Sequence, residues 1–104
     1  MEVESEDLKK VLECVKHGLG DQMVDAYWVD STTKPNSGRL IVVLESEPAD
    51  MNQMYHDVRS ALEELHGVAD LNLELTLTTI EKTMTEPFVK NTIKKARVLT
   101  SGRH

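Results

Sequence analysis

Cysteine is nearly absent from this 104-residue chain: Cys14 stands alone. That excludes an intramolecular disulfide and any cysteine-based metal cluster built within one chain. Aromatics are scarce too. Trp28, Tyr27, Tyr55 and Phe88 are the whole set, so Leu, Val and Met must fill the core. No apolar run approaches the roughly 20 residues of a membrane span. The opening stretch "MEVESEDLKK" is acidic and lacks the apolar region of a secretory signal. These absences point to a cytoplasmic protein, and the length suits one domain over residues 1–104 with a single modest core.

Charge is unevenly distributed. Residues 1–50 sum to −6, residues 51–80 to −4 and residues 81–104 to +4, for a net −6. An acidic body argues against duplex DNA binding, because counterion release needs Lys and Arg. Only the C-terminal part has the right sign. Lys90, Lys94, Lys95 and Arg97 on a last helix could contact an anionic partner, RNA included. Alternatively they solvate that helix and complement its C-terminal dipole.

Periodicity gives the elements. Leu8, Val11, Leu12, Val15 and Leu19 recur at helical spacing, with Ser5 as a cap and Gly18 as a stop. A strand is expected from Met23 to Ser31. The turn-rich "TTKPNSG" follows, then the apolar run "RLIVVLE", so the two strands suit an antiparallel hairpin. "EPADMNQMYHDVRSALEELHG" reads as a helix, with Asp50 and Gln53 at capping-box spacing and Gly67 as its stop. Its apolar face is Met51, Met54, Tyr55, Val58, Ala61, Leu62 and Leu65. In "ADLNLELTLT", Leu71, Leu73, Leu75 and Leu77 alternate with polar residues as in a half-buried strand. After a polar connection, Thr85 and Pro87 open a last helix through Phe88, Val89, Ile93 and Ala96, and "TSGRH" reads as a frayed or tag-like end. The order α-β-β-α-β-α implies an α+β fold: a two-layer α/β sandwich in which helices cover a small mixed sheet.

Few residues are arranged for chemistry. No G-x-S-x-G, H-E-x-x-H, G-x-G-x-x-G or P-loop pattern is present. His17, His56, His66 and His104 lack the close spacing of a metal site and read as surface residues. Cys14 flanks the first helical stripe with no local base to activate it. Carboxylates for acid–base work could come from Asp30, Glu45, Glu47, Asp70 and Glu74, and substitute metal ligands from Asp30, Glu45, Asp70 and Glu74.

Over nearly its whole length the chain resembles the minimal nucleotidyltransferase-like domains, small relatives of the polymerase-beta palm found beside helical toxin partners. "EDLKKVLECVKHGLGDQMVDAYWVDS" is similar to their opening helix and first strand. "PNSGRLIVVLE" is similar to their second strand, and "DLNLELTLTTIEK" and "FVKNTIKKARVL" to their third strand and closing helix. The departures fall on the chemistry. Where the family has Gly-Ser, this chain has Asp30-Ser31. Where it has Asp-x-Asp, this chain has Gly38 and Leu40 around Arg39. Those acids hold the Mg²⁺ ions that bridge nucleotide phosphates, and two-metal phosphoryl transfer requires them. The resemblance therefore implies a non-catalytic relative that acts by binding a protein, in an antitoxin-like or regulatory role. Ser31, Thr32 and Ser37 would be its vestigial phosphate donors, although turn-forming is the role such residues more commonly take.

Part of the chain, "RLIVVLESEPADMNQMYHDVRSALEELHGVADLNLELTL", also resembles the PaaD-like domains of iron–sulfur cluster assembly, including a Gly67-Val68 pair. The functional cysteine of that family lies after the second strand, where this chain has "ESEPADM". No cofactor or metal is expected under the main reading. Mg²⁺ with a nucleotide, or an iron–sulfur cluster, belongs to the alternatives. The expected partner is a protein or a second copy of the chain, with no membrane.

Overall fold

A computed structural model describes residues 5–34, 37–65 and 72–101. The chain is an α+β fold with a small mixed sheet. Helix α1 (Ser5–Leu19) leads through a turn of 3-10 helix into β1 (Met23–Asp30) and β2 (Ser37–Leu44). Helix α2 (Met51–Glu63), strand β3 (Asn72–Thr79), short helices α3 (Ile80–Thr85) and α4 (Pro87–Lys94), and strand β4 (Arg97–Ser101) complete it. The sheet order is β3-β2-β1-β4. β1 runs antiparallel to β2 and β4, while β2 and β3 are parallel and joined by α2 as the crossover.

The expected hairpin is present, with Trp28 opposite Leu40 and Asp30 opposite Gly38. Helix α1 buries Leu8, Val11, Val15 and Leu19 against Trp28, Leu40, Val42, Leu44 and Leu75 of the sheet, and α2 adds Val58. Because strand side chains alternate between faces, Tyr27, Ile41 and Val43 point the other way. There Ile80, Ile93 and Ala96 pack on them. The helices are thus divided between the faces: α1 and α2 form the helical layer over the main core, and α3 and α4 partly cover the opposite side.

Several boundaries differ from the sequence reading. Gly18 lies inside the last turn of α1, and the left-handed residue is Gly20, at φ 58°. Ser5 is the first residue of the helix rather than a flanking cap. Asp50 does cap α2, its Oδ1 accepting from the Gln53 N–H at 3.0 Å. The Gln53 side chain completes no box; it turns forward and donates to Asp57 Oδ1 at 2.9 Å. The stop assigned to Gly67, and Leu71 at the start of the Leu alternation, lie outside the described residues.

The expected last helix is the largest correction. The connection before it is itself helical, as α3, capped by Thr79 through the Lys82 N–H. Pro87 opens α4 as expected, and that helix ends at Lys94. Arg97 is therefore not on a helix but begins β4, opposite Trp28. The stretch Arg97–Ser101, with its Val and Thr, suits a strand once β1 offers an open edge.

Candidate functional site

The end of the sheet formed by the C-terminus of β1 and the N-termini of β2 and β3 borders a groove of about 810 Å³. It has the size of a small-ligand site. Asp30, Ser31, Thr32, Ser37 and Glu74 line it, as do Lys34, Arg39 and Arg59. Five of the residues singled out from sequence thus come together.

What they do there is structural. The Asp30 Oδ1 accepts from the Trp28 indole Nε1 at 2.8 Å and from the Arg97 Nη2 at 3.0 Å. All three sit at one corner where β1 meets β4, and the carboxylate ties the two strands together. The Ser31 hydroxyl accepts from the N–H groups of Thr33 and Lys34, each at 3.2 Å, so it shapes the turn. The Ser31 N–H donates to the Ser37 carbonyl at 2.9 Å, closing the hairpin. Glu74 bridges to Arg39 across β2 and β3 at 2.9 Å. Arg59 lies 3.6 Å from Glu63 and also donates to the Leu73 carbonyl at 3.1 Å. Charges along the groove are mostly compensated by neighbours rather than poised for a ligand.

The remaining carboxylates do not join them. Glu45 follows Leu44, which pairs with Met23 at the opposite end of β1. Six residues of extended strand lie between it and Gly38, about 23 Å over seven steps at the rise of a β-strand. Asp70 lies outside the described residues. Grouping Asp30, Glu45 and Glu74 as one set of substitute metal ligands is therefore corrected: a strand long enough to span the sheet holds its two ends apart. No group of three or more His, Cys, Asp or Glu close enough to hold a metal occurs among the described residues.

Positions 38 and 40 carry the sharpest observation. Both face the α1–α2 side of the sheet, as strand alternation requires. Leu40 is fully buried in the core. Gly38 lies beneath the Trp28 indole, and a β-carbon there would collide with Trp28 Cζ2 and Cε2 and with the Val29 carbonyl. Neither position has room for a carboxylate open to solvent.

No family model, curated protein or solved structure matches the chain. Both family resemblances therefore rest on the quoted residues alone.

Cys14 lies elsewhere, half-buried on α1 beside a small cavity of about 220 Å³ that Met54, Val58 and Ala61 of α2 also line. Burial pushes its thiol pKa up. A thiol kept protonated is a poor metal ligand and nucleophile. His17 and His56 are exposed, as expected of surface residues, while His66 and His104 lie outside the described residues. Lys90, Lys94 and Lys95 are exposed on and just after α4. No helix among the described residues is long and apolar enough to cross a membrane.

Sequence reasoning missed the Trp28–Asp30–Arg97 cluster. Trp28 and Asp30 share a face through their i, i+2 spacing, which was legible; Arg97 is 67 residues away from Asp30 and required β4. It also missed Asp25, a carboxylate within β1. Asp25 is fully buried and accepts from the Tyr27 hydroxyl at 3.3 Å.

Proposed function

We propose that this chain is a non-catalytic, nucleotidyltransferase-like domain that acts by binding a protein partner, in an antitoxin-like or regulatory role. One observation carries the reading: the two positions that would hold the family's metal-binding acids are packed shut, Gly38 under Trp28 and Leu40 in the core. Phosphoryl transfer through paired metal ions needs carboxylates facing an open cleft. The nearest acids, Asp30 and Glu74, are already engaged by Arg97 and Arg39. Exposed large apolar side chains at Met84, Phe88 and Val98 give a binding protein something to bind with.

The test is incubation of the chain with each nucleoside triphosphate, Mg²⁺ and candidate protein or RNA targets. The expected outcome is no transfer of labelled nucleotide; robust transfer would sink the reading.

A second reading draws on the groove, whose volume and hydroxyls at Ser31, Thr32 and Ser37 suit residual nucleotide binding without chemistry. It predicts heat with ATP or GTP in calorimetry that Arg39→Ala and Lys34→Ala diminish. Because Glu45 lies at the far end of the strand, Glu45→Ala leaves such binding unchanged. Absence of heat with either nucleotide disposes of this reading. The cluster-assembly alternative gains nothing from Cys14, whose burial and raised pKa disfavour the thiolate that a metal would require.

A further inference from the structure

From Pro87 to His104 the chain contains no acid, while Lys90, Lys94, Lys95 and Arg97 fall within that stretch. Arg97 is committed to Asp30, and Lys82 of α3 to Glu47 at 3.9 Å. Lys90, Lys94 and Lys95 take part in no ion pair among the described residues, and all three are exposed. A helix C-terminus attracts bases, and the macrodipole accounts for Lys94 and Lys95 on that ground. It does not account for Phe88, at the other end of α4, where the ring is 69% exposed. Val89 and Ile93, both half-buried, mark the inward side of α4. Phe88, Asn91 and Lys95 follow one another at i, i+3 and i+7 on a different stripe, so the ring and an ammonium share one outward line. Val98, 62% exposed, begins the outer face of β4, which is an edge of the sheet.

We propose that the outer side of α4, together with the start of β4, is a docking surface for an acidic segment of a partner protein that carries a large apolar side chain. The inference rests on the protein-binding reading above and adds where the partner sits and what its chemistry is. Charge complementarity selects the partner's acids, since the surface is basic and the rest of this chain is acidic. Phe88 and Val98 select its apolar residue, because large exposed apolar side chains are what an interface covers and desolvates. A single-stranded nucleic acid would answer the charge as well. It is disfavoured because one aromatic side chain, rather than a series, offers a stacking platform here.

The experiment follows fluorescence anisotropy of the full chain with a labelled short peptide alternating Glu and Leu. Its Lys-for-Glu counterpart and a short single-stranded RNA serve as competing probes. The Glu–Leu peptide is expected to bind and the Lys version not to. Combined Lys90→Glu, Lys94→Glu and Lys95→Glu is expected to weaken binding about tenfold, as reversal of several exposed charges does. Phe88→Ser, which removes no packing from the core, is expected to weaken it about fivefold, the scale of losing an interface aromatic. Equal binding by the variants, no binding of the acidic peptide, or tighter lysine-dependent binding of the RNA would each overturn the proposal. Nucleotide transfer measured on the same samples separates the two failures. A negative transfer assay with variant-insensitive peptide binding removes only the docking surface, whereas a positive one removes the non-catalytic reading itself.

Discussion

The two faces of the sheet are built differently. On one, α1 and α2 run for 15 and 13 residues, about 20 Å each, and nearly match the length of the strands they cover. On the other, α3 and α4 have 6 and 8 residues and reach about half that far. Among the described residues, the first face accordingly holds ten buried apolar side chains in one cluster, and the second holds three. Met84, Phe88 and Val98, the large apolar residues left exposed among the described residues, all belong to the C-terminal elements α3, α4 and β4. One face is finished as a core. The other is partly open, which is where an interaction surface can exist without unfolding anything.

Breaking the first face should be costly. Leu40→Ala removes a fully buried side chain between α1 and the sheet, with an expected loss of about 2–5 kcal/mol in urea denaturation. A value near zero would mean that the α1–α2 core is not as closed as described.

Gly38 comes next. Gly38→Ala should destabilise by about 1–3 kcal/mol, because the Val29 carbonyl is backbone and cannot step aside for a β-carbon as a side-chain tip can. Gly38→Asp, which restores the acid of the resembled family, should cost at least as much and produce no Mg²⁺ binding in calorimetry. Mg²⁺ binding by that variant with stability unchanged would contradict the packing of Trp28 over this position.

The open face should be more forgiving. Ile93→Ala removes a half-buried side chain from α4, and its expected cost is about 1 kcal/mol. Were it to cost as much as Leu40→Ala, the contrast between the faces would vanish.

The smallest effect concerns Cys14. Its folded-state pKa lies above that of an unfolded thiol because burial disfavours the thiolate. The unfolded chain therefore releases this proton first. Stability relative to Cys14→Ala should be constant at neutral pH and fall as the pH rises from the ordinary thiol value through the raised one. A pH series of denaturation curves on the two proteins reads the difference, and alkylation of Cys14 should be slower in the folded chain than in urea.

Local pattern was enough for much of this. The stripe of Leu8, Val11, Val15 and Leu19, the Asp50 cap and the inward Leu73, Leu75 and Leu77 of β3 each depend on neighbours a few residues away, and each appears where periodicity put it. Leu12, by contrast, stays half-buried outside the core, and Thr78, on the side of β3 expected to be wet, is buried. The hairpin also followed from turn chemistry between two apolar runs. The α+β class came with these elements.

The candidate site was legible only as a set of residue types. That Ser31, Thr32 and Ser37 lie near Asp30 follows from the hairpin, and their proximity to Glu74 follows from the parallel β2–β3 pairing. Separation of Glu45 from them is a matter of strand length, since Leu44 pairs with Met23 at the opposite end of the hairpin from Asp30 and Gly38.

Sequence by itself determined the apolar faces, the turn and the uneven charge, because these reside in spacing and composition. Tertiary structure alone decided that Arg97 starts a fourth strand and clamps Asp30, since strand formation there needs the edge that β1 presents. It also decided what Gly38 is for. Read alone, the glycine marks a missing acid; in the fold, the Trp28 ring occupies the space that any side chain would need.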